Sequence, residues 1–150
     1  MFQSDEVTVL VKRMRLVWFA MMASVALFTG VLWVLVGRGV RFPDVPPVAI
    51  TYGAVIVLLM LPLARVARRR IDQTSSSAGA GEIARRWQTG WVVSQAMREA
   101  VGLLGAALGL VYGSAPWVLG FGCASLASLV MTPPWEHEIR LRLQRAGLDP

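Results

Sequence analysis

Four apolar stretches constrain the fold of this chain more than any other feature. They extend from Leu16 to Val36, from Val45 to Ala64, from Trp91 to Tyr112 and from Trp117 to Met131. A helix of about 20 apolar residues crosses the hydrocarbon core of a bilayer with its backbone hydrogen bonds satisfied internally, so each stretch is a candidate transmembrane helix. The second and fourth stretches are close to the lower length limit. The sequence therefore predicts an all-α membrane protein with four transmembrane helices.

These stretches predict a single membrane domain over residues 1–150, made of two hairpins. Hairpin 1 is expected over about 16–64 and hairpin 2 over about 91–131, with a polar cytoplasmic linker over about 65–86 between them. Apolar residues also recur at helical spacing before the first stretch and after the fourth. Short amphipathic helices are therefore expected at both ends of the chain, the C-terminal one over about 133–146.

The basic residues predict the orientation of the helices. A net charge of +6 would suit a nucleic-acid-binding protein, but here the cations cluster at the ends of the apolar stretches. They precede the first stretch, fill the linker and follow the fourth: Lys12, Arg13, Arg15; Arg65, Arg68, Arg69, Arg70, Arg85, Arg86; Arg140, Arg142, Arg145. Because short cytoplasmic loops are enriched in Lys and Arg, this pattern places both termini in the cytoplasm. We therefore expect a protein of the bacterial inner (cytoplasmic) membrane, with lipid and not nucleic acid as its surroundings.

The third stretch carries polar and small side chains in two adjoining stripes. One contains Gln95, Glu99, Gly102 and Ala106, and the other contains Ser94, Arg98, Gly105, Gly109 and Gly113. Glycines four positions apart let another helix approach closely in lipid, so this helix is expected to be the centre of packing. The fourth stretch offers a matching small face of Gly120, Ala124 and Ser128. A tight hairpin of these two helices is one interpretation, and self-association through the glycine face is the other.

Two ionisable residues, Arg98 and Glu99, lie within this predicted span. Glu99 follows Trp91 by eight residues, which at about 1.5 Å per residue places it roughly 12 Å into a core about 30 Å thick. The longer Arg98 side chain can reach back toward the headgroups, whereas Glu99 cannot. An ionisable group at this depth pairs, faces other helices or lines an ion path. Glu99 is therefore expected to be protonated, paired with an arginine, or hydrogen-bonded to a polar neighbour: Gln95, Ser94 or Ser24.

The two predicted hairpins share a weak sequence similarity. In an ungapped alignment of the first stretch with the third, Val17 falls on Val92. In the same register Ser24 falls on Glu99, so the acid is present in one hairpin and absent from the other. A parallel duplication and a chance similarity between apolar helices both account for this match.

The residues after the fourth stretch predict a basic amphipathic helix. Thr132, Pro133 and Pro134 form a capping sequence. Trp135, Ile139, Leu143 and Ala146 then recur on one face, with Arg140, Arg142 and Arg145 elsewhere. Such a helix lies on anionic lipid headgroups or docks on a partner protein. His137 lies between two glutamates, but adjacent helix positions diverge, so no metal site is expected there.

Part of the third helix resembles a known family. The residues from Arg86 to Gly105, with the carboxylate at Glu99, are similar to the second helix of the c subunits, the proteolipids of rotary ATP synthases. In that family a basic cytoplasmic loop leads into a helix with a mid-membrane carboxylate followed by small residues. The resemblance implies that Glu99 binds an ion. The chain departs from the family in its first helix, where Trp18 and Trp33 stand in place of a glycine-rich surface.

Three functional hypotheses follow. The first is a non-enzymatic accessory, assembly or structural subunit that packs into a homo-oligomer or larger membrane complex through the glycine face of the third helix. The second is a proteolipid-like, proton-translocating subunit with Glu99 as the ion-binding carboxylate. The third is a small transporter or channel that uses the same polar stripe. The sequence contains no His–Glu metal constellation, no nucleophile with a nearby base and no phosphate-binding glycine loop, so we expect no enzyme, cofactor or metal ion.

Overall fold

The computed structural model describes residues 4–40, 46–72 and 79–145, which form helices and turns without a strand. The helices are α1 (Ser4–Gly37), α2 (Pro47–Asp72), α3 (Ala80–Val111), α4 (Ala115–Val130) and α5 (Glu136–Arg145). The predicted all-α class is therefore confirmed. Part of the predicted linker, the start of the second apolar stretch and Ala146 lie outside the described residues.

The four predicted spans correspond to helices of unequal character. Within the described residues, α1 and α2 are long and apolar enough to cross a membrane, and 17% of the residues in the most apolar part of each are buried in the bundle. α4 is apolar but has 16 residues, about 24 Å at 1.5 Å per residue. α3 has 32 residues, but polar side chains interrupt its apolar surface.

α3 is the central helix, because it contacts each of the other four. The backbone of α1 lies close to α3, α4 and α5, whereas that of α2 lies close to α3, and α1 and α2 do not contact each other in the described part of the chain. The first predicted hairpin is therefore not a packed pair. The buried side chains give the reason: Ala54 and Val57 of α2 pack with Val101 of α3, whereas Leu32 of α1 packs with Ala106 on a different face of α3.

The helices bring the basic segments to one end of the bundle, called here the basic end. At this end the start of α1, the start of α3 and α5 share a core. Its buried members include Val7, Val11, Trp87, Ile139 and Leu143. α2 and α4 also end here, since Arg68 pairs with Glu138 of α5 at 2.5 Å and the indole of Trp18 reaches the carbonyl of Leu129. Cations that are far apart in sequence therefore lie on the same side of the molecule.

α3 ends at a glycine that the sequence pattern placed on the packing face. Gly113 has φ +66°, a left-handed conformation that residues with a side chain rarely adopt. The N–H of Gly113 donates to the carbonyl of Leu110 at 2.9 Å, and the N–H of Ser114 donates to the carbonyl of Gly109 at 2.9 Å. This pair of bonds is a Schellman motif. Gly113 therefore follows the end of the third stretch, where it terminates α3 and turns the chain into α4, and it does not extend the glycine face that packs against α4.

Candidate functional site

A cluster of polar side chains surrounds the last turn of α4 near the basic end. The carbonyl groups of the last turn of any helix have no partner within that helix, and burying them unbonded is costly. In this chain α3 and α1 supply the missing donors. The cluster consists of side chains or carbonyls of Trp18, Trp91, Gln95, Arg98, Ser125, Ser128, Leu129 and Thr132.

Arg98 is the cation of this cluster. Its side chain is 6% exposed, and its Nη1 atom donates to the carbonyl oxygen of Ser128 at 2.8 Å and to the hydroxyl of Thr132. A cation at the C-terminus of a helix also interacts favourably with the negative end of the helix dipole. Arg98 therefore caps α4, and it does so with its side chain directed at α4 and away from its sequence neighbour Glu99.

Gln95 and two indoles complete the capping of α4. The side-chain amide of Gln95 donates to the carbonyl of Thr132 at 2.6 Å, and Trp91 donates to the same carbonyl at 3.3 Å. From α1, the Nε1 atom of Trp18 donates to the carbonyl of Leu129 at 2.9 Å. Because α1 and α3 both contribute donors, this end of α4 is fixed relative to these two helices.

The serines of the cluster connect the two backbones. Ser125 donates from its hydroxyl to the carbonyl oxygen of Arg98 at 2.7 Å, and the hydroxyl of Ser128 donates to the carbonyl of Ser125 at 2.9 Å. Ser94 is fully buried, and its Oγ atom has no hydrogen-bond partner among the described residues. Ser94 and Gln95 were both expected to surround Glu99. They are instead buried in or beside the contact between α3 and α4.

Glu99 lies apart from the polar cluster. It is half-buried and occupies the stripe of α3 that continues to Gly102, close to Val25 of α1, and to Ala106, which packs with Leu32 of α1. No hydrogen bond or ion pair of Glu99 is formed within the described residues. Ser24, the residue that matches Glu99 in the first apolar stretch, is exposed. The expected ion-binding set around Glu99 is therefore not gathered, and the acid remains at the α1 edge of α3.

The glycine face of α3 packs inside the bundle. A Cβ atom added to Gly109 would lie 2.6 Å from the backbone nitrogen of Val118, and one added to Gly105 would overlap the ring of Phe121. A Cβ atom at Gly102 would lie 2.8 Å from Ser125. These close approaches occupy the face with α4, so it is not an outer surface for self-association.

α4 presents a different face to α3 from the one the small residues suggested. The side chains that meet the α3 glycines belong to Val118, Phe121 and Ser125. Gly120, by contrast, is exposed, with no atom within 4 Å of an added Cβ atom, and Ala124 lines a groove between α4 and α2. Large side chains of α4 fill the space opened by the α3 glycines, which is the physical reason for the difference. Of the predicted small face, Ser128 alone belongs to the polar cluster.

The apolar face of α5 packs against the bundle and does not point away from it. Ile139 and Leu143 are 0% and 1% exposed in the core shared with α1 and α3, so the apolar face that was expected to meet lipid is buried in the protein. Trp135, expected on that face, is 52% exposed. Arg145 is also exposed.

Two of the predicted membrane-surface arginines form ion pairs. Arg140 pairs with Glu136 at 2.6 Å, whereas Arg142 pairs with Asp72 of α2 at 2.8 Å and with Glu138 at 3.3 Å. Burial raises the pKa of Glu138, but attraction to Arg68 and Arg142 and the hydrogen bond from Arg68 outweigh burial, so its pKa lies below the ordinary value of 4.5. This ion-pair network joins α2 to α5.

Sequence reasoning missed the role of Thr132 and of the two indoles. One signal was present: the fourth apolar stretch is close to the lower length limit for a span and is followed directly by Thr132 and two prolines. A helix that ends at that point needs donors from elsewhere, and Arg98 and Gln95 are the buried polar residues of the neighbouring helix.

Comparison with protein-family models, curated proteins and solved structures finds no match.

Proposed function

We propose that this protein is a non-enzymatic subunit of the bacterial inner membrane, an accessory or assembly component of a larger membrane complex. In this proposal α1 to α4 lie in the bilayer and the basic end faces the cytoplasm. The large apolar side chains left exposed on α1 and α2 support the membrane placement, with Leu16 and Leu27 each 72% exposed and Ile56 61% exposed. A surface of this kind is stable against lipid and not against water.

The capping of α4 supports a membrane position for this short helix. A helix of about 24 Å does not cross a hydrocarbon core about 30 Å thick. Its last carbonyls then lie in apolar surroundings, where each unbonded group costs several kcal/mol. Arg98, Gln95 and Trp18 bond to these carbonyls or to Thr132 just beyond them.

The unpartnered carboxylate of Glu99 is the observation that carries the accessory role. A half-buried acid in a membrane helix is retained where it pairs, and the described residues supply no partner. The glycine face is occupied by α4, so we place the contact with another subunit at the α1 edge of α3, around Glu99. The chemistry implies a partner helix that presents an arginine, a lysine or a hydrogen-bond donor at this depth.

A matched pair of substitutions tests this role. Glu99→Gln removes the charge at the proposed contact, and Glu82→Gln makes the same change on α3 outside it, where the carboxylate forms a surface pair with Arg86. The size and composition of the complex are measured on native gels and by mass spectrometry after extraction in mild detergent. We expect a hetero-complex of fixed composition that Glu99→Gln weakens and Glu82→Gln preserves. A protein that runs alone, or a complex that both variants preserve, contradicts the proposal.

The proteolipid-like hypothesis is the second candidate, because the same edge position would let Glu99 face a neighbouring subunit. Against it, Gln95 bonds to Thr132 and Ser24 is exposed, so the described residues offer no preformed ligand set. A homomeric ring that takes up protons in proteoliposomes, and loses this activity in Glu99→Gln, would establish this function in place of the accessory role. Proton or solute flux without a ring would favour the third hypothesis, a small transporter or channel.

The orientation is tested by cysteine labelling. Cys123→Ala removes the native thiol, and Arg85→Cys or Arg38→Cys then introduces one at an exposed position at opposite ends of the bundle. A membrane-impermeant maleimide added to intact cells should label the thiol at position 38 but not that at position 85. The reverse pattern, or labelling of both, contradicts the proposed arrangement.

A further inference from the structure

A groove runs along the outside of the bundle between α2 and α4. Both helices lie against α3, but they do not contact each other closely in the described part of the chain. α2 and α4 form the walls of the groove, and α3 contributes Arg98 to the lining of its polar part. The groove has a polar part at the basic end and an apolar part beyond it.

The polar part is a cleft of about 210 Å³ that carries two arginines. Arg65 of α2 and Arg98 of α3 both line it, together with the hydroxyl-bearing residues Ser128 and Thr132. None of the described residues that line this cleft is acidic. Its remaining walls are apolar, as expected at the boundary between headgroups and acyl chains.

The two arginines keep donors available to this cleft. A guanidinium has five N–H donors, and the hydrogen bonds of Arg98 within the described residues all come from Nη1. Arg65 is exposed and has no ion pair within the described residues. Because both cations line the same cleft, an anion bound between them would offset their mutual repulsion.

The apolar part of the groove is a cleft of about 360 Å³. Its α2 wall includes Ala54 and Leu58, and its α4 wall includes Gly120 and Ala124. The two clefts are consecutive, because Leu61 and Ser128 of the polar cleft follow Leu58 and Ala124 by one helical turn. The small residues of α4 therefore face an open apolar track and not a helix.

We propose that this groove is a binding site for one anionic phospholipid. Its phosphate lies between Arg65 and Arg98, and one acyl chain follows the small residues of α4 along the apolar part. Basic pockets between transmembrane helices bind anionic headgroups on the cytoplasmic side, and guanidinium groups match phosphate oxygens in geometry and charge. The inference rests on the membrane placement proposed above, and it does not depend on an accessory role.

The headgroup part of the proposal is tested by lipid retention. Purified full-length protein in detergent is incubated with phosphatidylglycerol or phosphatidylcholine that carry the same acyl chains, and retained lipid is counted by native mass spectrometry. We expect one phosphatidylglycerol per chain to remain bound under conditions that remove phosphatidylcholine. Arg65→Gln should lower the affinity about tenfold or more, whereas Arg69→Gln, an exposed arginine of the same helix outside the cleft, should leave it unchanged.

The acyl-chain part is tested on α4. Gly120→Leu fills the apolar track without meeting a described atom at the added Cβ, so the fold should be retained while lipid retention falls. Cys123→Leu changes an exposed residue of the same helix outside the residues that line the groove and should not alter retention. An unchanged thermal unfolding midpoint in both variants verifies that the fold is intact.

Several results would overturn the proposal. Equal retention of the two lipids, or equal loss in Arg65→Gln and Arg69→Gln, would show that the groove has no specific headgroup site. Displacement of phosphatidylglycerol by inorganic phosphate would indicate a site for a free anion. A dimer that Gly120→Leu dissociates would show that a second copy of the chain fills the groove. Extraction of the protein from membranes by alkaline carbonate would refute the membrane placement itself, whereas a protein that stays in the membrane without lipid selectivity refutes the lipid site alone.

Discussion

The Nη1 atom of Arg98 lies 2.8 Å from the carbonyl oxygen of Ser128, and through this bond a cation of α3 caps the end of α4. The bond explains how a cation is accommodated on the buried face of α3, beside its glycines. Arg98 supplies donors to backbone groups that the helix cannot satisfy by itself. The cost of burying the cation is thereby offset by the carbonyl dipoles that it meets.

Replacement of Arg98 is expected to destabilise the contact between α3 and α4. Arg98→Leu leaves the Ser128 carbonyl without its cationic donor, and we expect the free energy of unfolding to fall by about 1–3 kcal/mol. Arg98→Lys should recover part of this loss, because an ammonium group keeps the charge but lacks the planar guanidinium. Unfolding is followed by tryptophan fluorescence in mixed micelles of increasing SDS content. Arg85→Leu, an exposed arginine of α3, is the control, and an equal effect of the two leucine variants would refute the capping role.

Addition of a methyl group to the glycine face should distinguish the packed glycines from the exposed one. Gly105→Ala brings a Cβ atom into the ring of Phe121, and overpacking of this kind costs about 1–3 kcal/mol. Gly120→Ala meets no atom within 4 Å and should be neutral or stabilising by up to about 1 kcal/mol. The same SDS titration measures both variants. Phe121→Leu should relieve part of the cost when combined with Gly105→Ala, and purely additive effects would argue against direct contact.

Acidification should weaken the attachment of α5 through Glu138. The pKa of Glu138 is lower in the folded protein than its ordinary value of 4.5, so the folded state binds fewer protons than the unfolded state around that pH. This group therefore contributes stability that is fully present above about pH 4.5 and is lost as the pH falls through the lower, folded pKa. Glu138→Gln should remove this pH dependence and cost about 1 kcal/mol near neutral pH, because the carboxylate and its two arginines are partly exposed.

The measurement for Glu138 is limited proteolysis of α5 as a function of pH. Wild-type α5 should become more susceptible to cleavage at acidic pH, whereas Glu138→Gln should be more susceptible at neutral pH and change less on acidification. Glu6→Gln, an exposed acid of α1, serves as the matched control. An acid-dependent increase of the same size in Glu138→Gln would assign the effect to another group.

Truncation of the apolar face of α5 should reveal whether it packs on the bundle. Ile139 is fully buried, whereas Leu141 is 46% exposed on the same helix. Ile139→Ala is expected to lower the free energy of unfolding by about 2–5 kcal/mol, and Leu141→Ala by much less. Proteolytic susceptibility of α5 gives an independent readout. If Ile139→Ala left stability unchanged but weakened binding of a peptide spanning α5 to anionic vesicles, the leaflet-bound position expected from the sequence would be favoured.

The sequence predicted where the helices lie along the chain better than which helices pack against each other. Apolar periodicity located all four long helices, but α3 begins at Ala80, well before the apolar stretch at Trp91. Its additional turns are stabilised by tertiary burial, with Ile83 and Trp87 in the core shared with α1 and α5. Hydropathy does not reveal such burial, because the same segment carries exposed arginines on its other face.

The sequence indicated which residues belong to the polar cluster but not how their side chains are arranged. Arg98 and Gln95 were recognised as candidates because they interrupt an apolar stretch. Their direction could not be predicted, because it depends on where α4 ends in three dimensions relative to α3. Gly113 and Gly120 give the same lesson: spacing alone does not distinguish a glycine that packs, one that ends a helix and one that lines a groove.

α1 and α2 do not contact each other over the described residues, which has a consequence for the biogenesis of the protein. Both helices leave the ribosome before α3, yet their buried neighbours lie on α3, α4 and α5. Until the second half of the chain has been made, α1 and α2 therefore lack the neighbours against which they pack in the bundle. Assembly of the whole bundle begins only once the second half has arrived, so the last helices to be synthesised act as the template for the first.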